Sequence, residues 1–374
     1  MKKMKKKFFY SLGIMSGTSI DGLDVSLIES DGKSKVINIF DQFYKFDSKT
    51  RQKIQETIRY FNLKDNISKK VLYSKINIIF TNLLIDKLHL FFKKSPVSYK
   101  DVDVIGLHGN TIYHNPLEKL SIQIGDAKKL AIQFNIPVVY NFRTRDILNG
   151  GQGAPLVPIF HEAIFKHKDK PTMVVNIGGI SNFTYIAQNN LVSSDIGPGN
   201  VLIDNYCKRN FGVDFDDKGK LSKKGNVSEN LLNEWKKKHF LNHSIPISFD
   251  NYYFKIDEFV NKKYVSKVDI LRTLTYFSAY LIKCCEKFAP NAVERWILCG
   301  GGTKNITLMN DIRNFFNKQI IFTAEDFGYD STFVESQAFA YISIRTMINL
   351  PSSFNTTTGV KKNNICGSLV FPMH

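Results

Sequence analysis

Two stretches of one design constrain the fold most. An apolar run through Gly13-Ile14-Met15 leads into Ser16-Gly17-Thr18-Ser19-Ile20-Asp21-Gly22 and a second apolar run from Leu23. About half a chain later, the buried-strand pattern Thr172–Ile177 meets Gly178-Gly179-Ile180-Ser181-Asn182 and the return run Phe183–Ile186. Strand, glycine turn and strand recurring in this way predict a duplicated α/β fold with two phosphate hairpins facing a central cleft. The first turn has the chemistry for phosphate. Gly13, Gly17 and Gly22 permit positive φ or close backbone approach. Ser16, Thr18 and Ser19 offer hydroxyl donors, and Asp21 and Asp24 are candidates to hold a hydrated Mg²⁺. An ordinary hairpin with a glycine turn is the competing reading of this stretch alone. It is not a P-loop: in Gly32-Lys33-Ser34, Leu27 stands where that pattern needs its first glycine.

At 374 residues the chain predicts two lobes of about 100–200 residues each. A hydrophobic content of 43%, with 13% aromatic, excludes a disordered chain. The formal charge of +17 permits nucleic-acid or membrane-surface binding. The lysines are spread along the chain, however, with no basic helix interleaved with aromatics, so a solvated Lys-biased surface is the better reading. Five cysteines without a Cys-x-x-Cys pair argue against a disulfide framework or zinc site and imply a reducing compartment, hence the cytoplasm. The Lys-rich start before Phe8-Phe9-Tyr10 is not read as a signal peptide, because its apolar stretch is broken by Ser11 and Gly13 and runs straight into the hairpin. No apolar run approaches the ~18–20 residues of a membrane helix.

In chain order, Leu23–Ile28 and Lys35–Phe40 flank the turn Asp31-Gly32 as a hairpin, and 49–60 and 68–94 are helical, the second with a stripe of Ile76, Phe80, Leu84, Leu88 and Phe91. Val102–Leu107 is a short buried strand ending in His108-Gly109-Asn110-Thr111, and polar residues at the carboxyl end of such a strand are where open α/β sheets bind ligands. Gln123 to Asp126 opens a helix to Asn135, and Ile136–Tyr140 is a strand. Arg143, Arg145 and Asp146 then precede the glycine cluster Gly150-Gly151-Gln152-Gly153, which reads either as a linker or as part of an anion or sugar site. Pro155 and Pro158 suit the first turn of a helix to Phe165.

Asp195 stands on Gly197-Pro198-Gly199 before a helix, poised for a cleft or, alternatively, placed to stabilise the helix dipole. The stretch 214–263 is the least informative, and Asp269 is the cap candidate for the helix carrying Ile270 to Cys285. Trp296–Cys299 is a strand ending in Gly300-Gly301-Gly302, suited to a nucleotide base or ribose lying on backbone. Ile320–Thr323 is a strand, Ser331–Ile348 a helix with Glu335, and Leu369–Phe371 a last apolar run.

Together these motifs resemble the anhydro-N-acetylmuramic acid kinase family, of the actin/hexokinase/acetate-kinase ATPase superfamily, over nearly the whole chain. The resemblance rests on Met15–Asp24, His108–Thr111, Phe142-Arg143, Asp146, Gly150–Pro158, Asn176–Gly179, Asp195–Asn200, Cys299–Gly302 and Glu335 with Ala338-Phe339-Ala340. It implies a two-lobed, duplicated actin-like ATPase (ribonuclease H-like) fold with a central cleft. The expected lobes are 1–140, to which a tail of about 355–374 returns, and 141–354.

The resemblance also implies an ATP-dependent kinase that opens the 1,6-anhydro ring of anhydro-N-acetylmuramic acid and phosphorylates O6, giving N-acetylmuramic acid 6-phosphate for peptidoglycan recycling. Asp195 matches the catalytic base. Gly17, Thr18, Ser19, Ile20, Asp21, Gly22, Leu23, Asp24, Gly178, Gly179, Gly300, Gly301 and Gly302 match ATP-binding positions, with Asp21 holding Mg²⁺ through water. His108, Asn110, Thr111, Arg143, Gln152, Gly153, Asn200 and Glu335 match substrate positions, where Arg143 suits the lactyl carboxylate. A cytoplasmic homodimer is implied, with no nucleic-acid or membrane partner. The sequence departs from the family pattern at Asn110 (commonly Gln), Asn141 (commonly Asp), Ile196 (commonly Thr) and in 248–254, which lacks an Arg-Glu pair. A kinase of another anhydro sugar such as levoglucosan, and a non-catalytic nucleotide-binding module, are the alternatives.

Overall fold

The computed structural model describes residues 7–17, 19–61, 66–237, 244–249, 253–260, 264–316 and 320–372. Thr18, the residues before Lys7 and 250–252 lie outside them. The chain divides into two compact units, residues 1–164 with 333–374, and residues 165–332. The boundaries expected at 140 and 354 are displaced. Residues 141–164 and 333–354 belong with the first unit, because the helix Val334–Met347 packs on the first sheet of that unit.

In the first unit, β1 (Phe9–Ser16), β2 (Gly22–Ser30) and β3 (Val36–Lys45) form an antiparallel meander. Next come β4 (Val104–Asn115), parallel to β1, β5 (Leu120–Ile124), antiparallel to β4, and β6 (Val138–Tyr140), parallel to β4. The strand Ser368–Val370 adds antiparallel to β6, so the tail does return to this unit. Gln123 and Ile124 lie in β5, not in a helix; the helix is Ala127–Phe134, capped by Asp126, whose carboxylate accepts from Lys129 N.

Strand alternation assigns the two faces. Leu12, Ile14, Val25, Leu27, Ile105 and Leu107 pack with Ile54, Phe80, Leu84, Leu88 and Phe91 of the helices Ser48–Phe61 and Asn66–Lys94. The opposite face carries small residues that let the helix Val334–Met347 approach closely. A Cβ on Gly13 would lie 1.9 Å from Ser336 O, and one on Gly106 would lie 2.4 Å from Phe339 O. Ser11 Oγ donates to Ala340 O at 2.8 Å, and the Ser26 and Ser336 hydroxyls are 2.6 Å apart.

In the second unit, β7 (Thr172–Ile177), β8 (Ile180–Ile186) and β9 (Leu191–Pro198) form the meander, with β10 (Arg295–Cys299) parallel to β7 and β11 (Ile320–Thr323) parallel to β10. Its order β11-β10-β7-β8-β9 repeats β6-β4-β1-β2-β3 strand for strand, which is the duplication expected from the two glycine turns. Its core joins Val175, Ile177, Phe183 and Trp296 of the sheet to Leu202, Leu271, Leu274, Phe277, Leu308 and Trp235 from helices. The helix Lys267–Cys284 is capped by Ser266, which accepts from Asp269 N at 3.2 Å, so Asp269 is the third helical residue and not the cap.

Candidate active site residues in the two units

In the first unit the carboxyl ends of the parallel strands β1, β4 and β6 carry the expected residues, which is the ligand end of open α/β sheets. Register places Ser16 opposite Asn110. Asn110, 1% exposed, donates through Nδ2 to Gly17 O at 2.9 Å and Ser16 Oγ at 3.2 Å. These acceptors fix the amide orientation, because the reverse would set Oδ1 against oxygen. Oδ1 is buried with no partner among the described residues. Asn110 therefore ties the hairpin to β4 and leaves one acceptor.

The hairpin glycines have different tasks. Neither Gly13 nor Gly22 has positive φ; Gly13 admits the helix Val334–Met347, and a Cβ on Gly22 would strike the Phe43 ring at 2.3 Å. Gly17 is the open one, with only Ser19 Oγ 3.7 Å from a built Cβ. The left-handed residue is Ile20, φ 54, a strained choice for a β-branched side chain costing about 1–3 kcal/mol. Leu23 directs its side chain into the core. Asp21 is exposed and accepts from Ser19 Oγ at 2.7 Å. A Mg²⁺ that keeps several waters needs one or two carboxylates beside substrate phosphates, and Asp21 fits that requirement.

Arg143, in the helix Phe142–Leu148, donates from Nε to His108 Nε2 at 2.9 Å and from Nη1 to Gly153 O at 2.9 Å. A guanidinium only donates, so His108 Nε2 is the bare nitrogen and Nδ1–H donates to Gly109 O at 3.0 Å. Both ring nitrogens of His108 are thus bonded within the protein, one of them to Arg143. Asn141 precedes this helix at φ 55, a region that asparagine tolerates. Thr111 Oγ1 accepts from Gln123 Nε2 at 3.2 Å, Gln152 N donates to Thr358 O at 2.7 Å, and Glu335 is half-buried in the first turn of its helix.

Burial, then the Arg143 charge, holds His108 well below the ordinary histidine value and His114 at about 3; burial alone holds His161 at about 3. The unfolded chain binds protons at these three below pH 6.5 while the native state does not. Stability from these histidines is therefore complete above pH 6.5 and falls as pH drops toward 3. Asp204, raised to about 7 by burial, opposes this between 3.8 and 7, where the native state holds the extra proton. Between pH 5 and 6.5, unfolding free energy is expected to rise with pH, and Asp204→Asn to steepen the rise by about 1.4 kcal/mol per pH unit. Urea unfolding across pH checks both, and a flat profile contradicts the neutral histidines.

In the second unit Asp195 lies within β9, six residues before the first residue of the helix Val201–Phe211, and so is not that helix's first-turn acid; Asp204 is. Asp195 is 8% exposed, its Oδ2 accepts from Phe249 N at 2.7 Å, and its N–H donates to Ile247 O at 3.0 Å. Register aligns Cys299, Asn176, Asn182 and Asp195 in one row across β10, β7, β8 and β9. Asn176 and Asn182 both flank the Gly178-Gly179 turn in the sequence.

The carbonyls of that turn accept from Gly199 N (2.9 Å), Asn200 N (2.9 Å) and Val201 N (3.0 Å), so these amides at the start of the helix are already satisfied. Asn200 Nδ2 donates to Ile177 O at 3.3 Å. Of the three glycines after β10, Gly300 (φ 86) and Gly302 are required by β7: a Cβ would lie 2.3 Å from Asn176 Oδ1 and 2.2 Å from Ile177 Cγ2. Gly301 alone faces open space.

The whole chain compares well with known proteins. The family model described as anhydro-N-acetylmuramic acid kinase matches residues 9–372. A protein of that name from Pelagibacter ubique (strain HTCC1062) is 41% identical, covering 98% of this chain and 99% of the relative. One from Rhodopseudomonas palustris (strain ATCC BAA-98 / CGA009) is 36% identical over 94% of this chain and 96% of its own. With one match running from β1 through the last strand, and the motifs at Asn110, Arg143 and Asp195 all inside it, the chain belongs to the anhydro-N-acetylmuramic acid kinase family.

Proposed function

We propose that this protein is an ATP-dependent kinase that opens the 1,6-anhydro ring of anhydro-N-acetylmuramic acid with water and phosphorylates O6, forming N-acetylmuramic acid 6-phosphate and ADP. The observation that carries this reading is the family match across residues 9–372. Asp195 takes a proton from the water that attacks C1. The C1–O6 bond breaks, O6 attacks the γ-phosphorus, and the bond to the β-phosphate oxygen breaks to release ADP. A carboxylate base contributes typically about 10²–10⁴-fold. Arg143, oriented by His108 and Gly153, holds the lactyl carboxylate, and Asn110 Oδ1 accepts from a sugar hydroxyl.

The backbone of Gly17 to Asp24, with Gly178, Gly179 and Gly301, approaches the nucleotide, and Thr111, Gln152, Asn200 and Glu335 are assigned to the sugar. Mg²⁺, where bound, neutralises phosphate charge, with Asp21 holding its waters. A cytoplasmic homodimer completes the proposal; among the described residues no helix is long and apolar enough to cross a membrane.

The test is ATP consumption with 1,6-anhydro-N-acetylmuramic acid against levoglucosan, with the sugar phosphate identified by mass. A 6-phosphate from the muramic sugar is expected. Turnover of levoglucosan alone, or of neither sugar with ATP still bound, overturns the reading.

A further inference from the structure

Asp146 is fully buried on the helix that carries Arg143, and its carboxylate is shared between two distant segments. Oδ2 accepts from Gly153 N at 2.7 Å, and Oδ1 from Thr358 Oγ1 at 2.8 Å; the Ser353 hydroxyl bonds it as well. Its own carbonyl accepts from Gly151 N at 3.0 Å. A Cβ on Gly151 would lie 2.2 Å from Oδ2, so glycine there lets the loop close over the carboxylate. The peptide that Asp146 grips at Gly153 N–H is followed by the Gly153 carbonyl, which receives Arg143 Nη1 at 2.9 Å, while Arg143 Nε is held by His108. A continuous chain of hydrogen bonds thus runs Thr358, Asp146, Gly153, Arg143, His108.

We propose that Asp146 is a positioning residue for the substrate: through Gly153 it sets the guanidinium of Arg143, and Thr358 holds the carboxylate from the C-terminal segment. Asp146 itself touches no substrate. This inference rests on the reading that Arg143 binds the sugar's carboxylate. A shared buried carboxylate suits the task because it accepts from several donors at once, and hydrogen bonds to a charged acceptor are the stronger kind. Asparagine can retain both links, since its Oδ1 accepts from Gly153 N and its Nδ2 donates to a turned Thr358 hydroxyl. Alanine retains neither.

The experiment measures KM and kcat of wild type, Asp146→Ala, Asp146→Asn, Thr358→Val, Arg143→Ala and the Asp146→Ala/Arg143→Ala double variant. Each is assayed with the muramic sugar and with the same anhydro sugar lacking the lactyl carboxylate. Asp146→Ala is expected to raise KM for the muramic sugar by about tenfold or more, to raise KM for the carboxylate-free sugar by a clearly smaller factor, and to leave KM for ATP near wild type. Asp146→Asn is expected to stay within a few-fold of wild type, and Asp146→Ala to add little to Arg143→Ala. Should the alanine variant not fold, Thr358→Val, which removes one donor, carries the same test with a smaller shift.

Equal losses on both sugars, or a double variant whose losses multiply, overturn the positioning role. An Arg143→Ala enzyme that still prefers the carboxylate-bearing sugar to the wild-type extent overturns the reading of Arg143 instead, and the two failures are told apart by that single variant.

Discussion

Asp195→Asn is expected to lower sugar-dependent ATP turnover by about 10²–10⁴-fold while leaving folding and nucleotide affinity unchanged. Asparagine has nearly the same shape, and its Oδ1 can still accept the 2.7 Å hydrogen bond from Phe249 N. The backbone bond from residue 195 N to Ile247 O does not involve the side chain. What is lost is the basic oxygen that takes a proton from water, and an amide cannot supply it. A coupled assay of ADP release gives the turnover, and thermal unfolding with and without ATP reports fold and binding. Retention of turnover within tenfold of wild type would sink the base assignment; loss of the unfolding transition would instead make Asp195 structural.

The second large effect is on stability. Gly13→Ala is expected to destabilise the first unit by about 3 kcal/mol or more, enough to leave much of the protein insoluble. The added Cβ would lie 1.9 Å from Ser336 O and 2.7 Å from Ala340 N, and both are backbone atoms of a helix that cannot rotate away. Gly17→Ala, in the same hairpin, would place its Cβ 3.7 Å from the nearest atom, Ser19 Oγ, and is expected to change stability by no more than about 0.5 kcal/mol while weakening ATP binding. Urea unfolding of the two variants side by side decides the matter. A Gly13→Ala protein as stable as wild type would mean that the helix Val334–Met347 has room to move off β1.

These two glycines show where sequence reasoning reached and where it stopped. Gly13, between Leu12 and Ile14, and Gly17, between Ser16 and Thr18, both read in the chain as glycines of the phosphate turn. The atom that gives Gly13 its task, Ser336 O, is more than three hundred residues away in sequence. Gly300 and Gly302 repeat the lesson, since β7 requires both and only Gly301 is open. Asp195 was legible as a functional candidate but not its placement, because Gly-Pro-Gly suggests a turn while pairing with Asn182 makes residue 195 part of a strand. The buried position of Asp146 and its link to Thr358 had no local signal beyond the nearby glycines and the Thr-rich segment before Gly359.

The sequence by itself determined the strands on either side of the two glycine turns, the helical stripes, the recurrence of the glycine hairpin and the family, because each is written in periodicity or in contiguous motifs. The tertiary structure alone decided three things: which glycines serve packing, why 141–164 and 333–354 join the first unit, and how His108, Gly153 and Asp146 hold Arg143. The physical reason is the same throughout. These outcomes depend on close contacts between backbone and side-chain atoms far apart along the chain, and steric exclusion and hydrogen-bond geometry act on distance in space, which no local pattern of residues records.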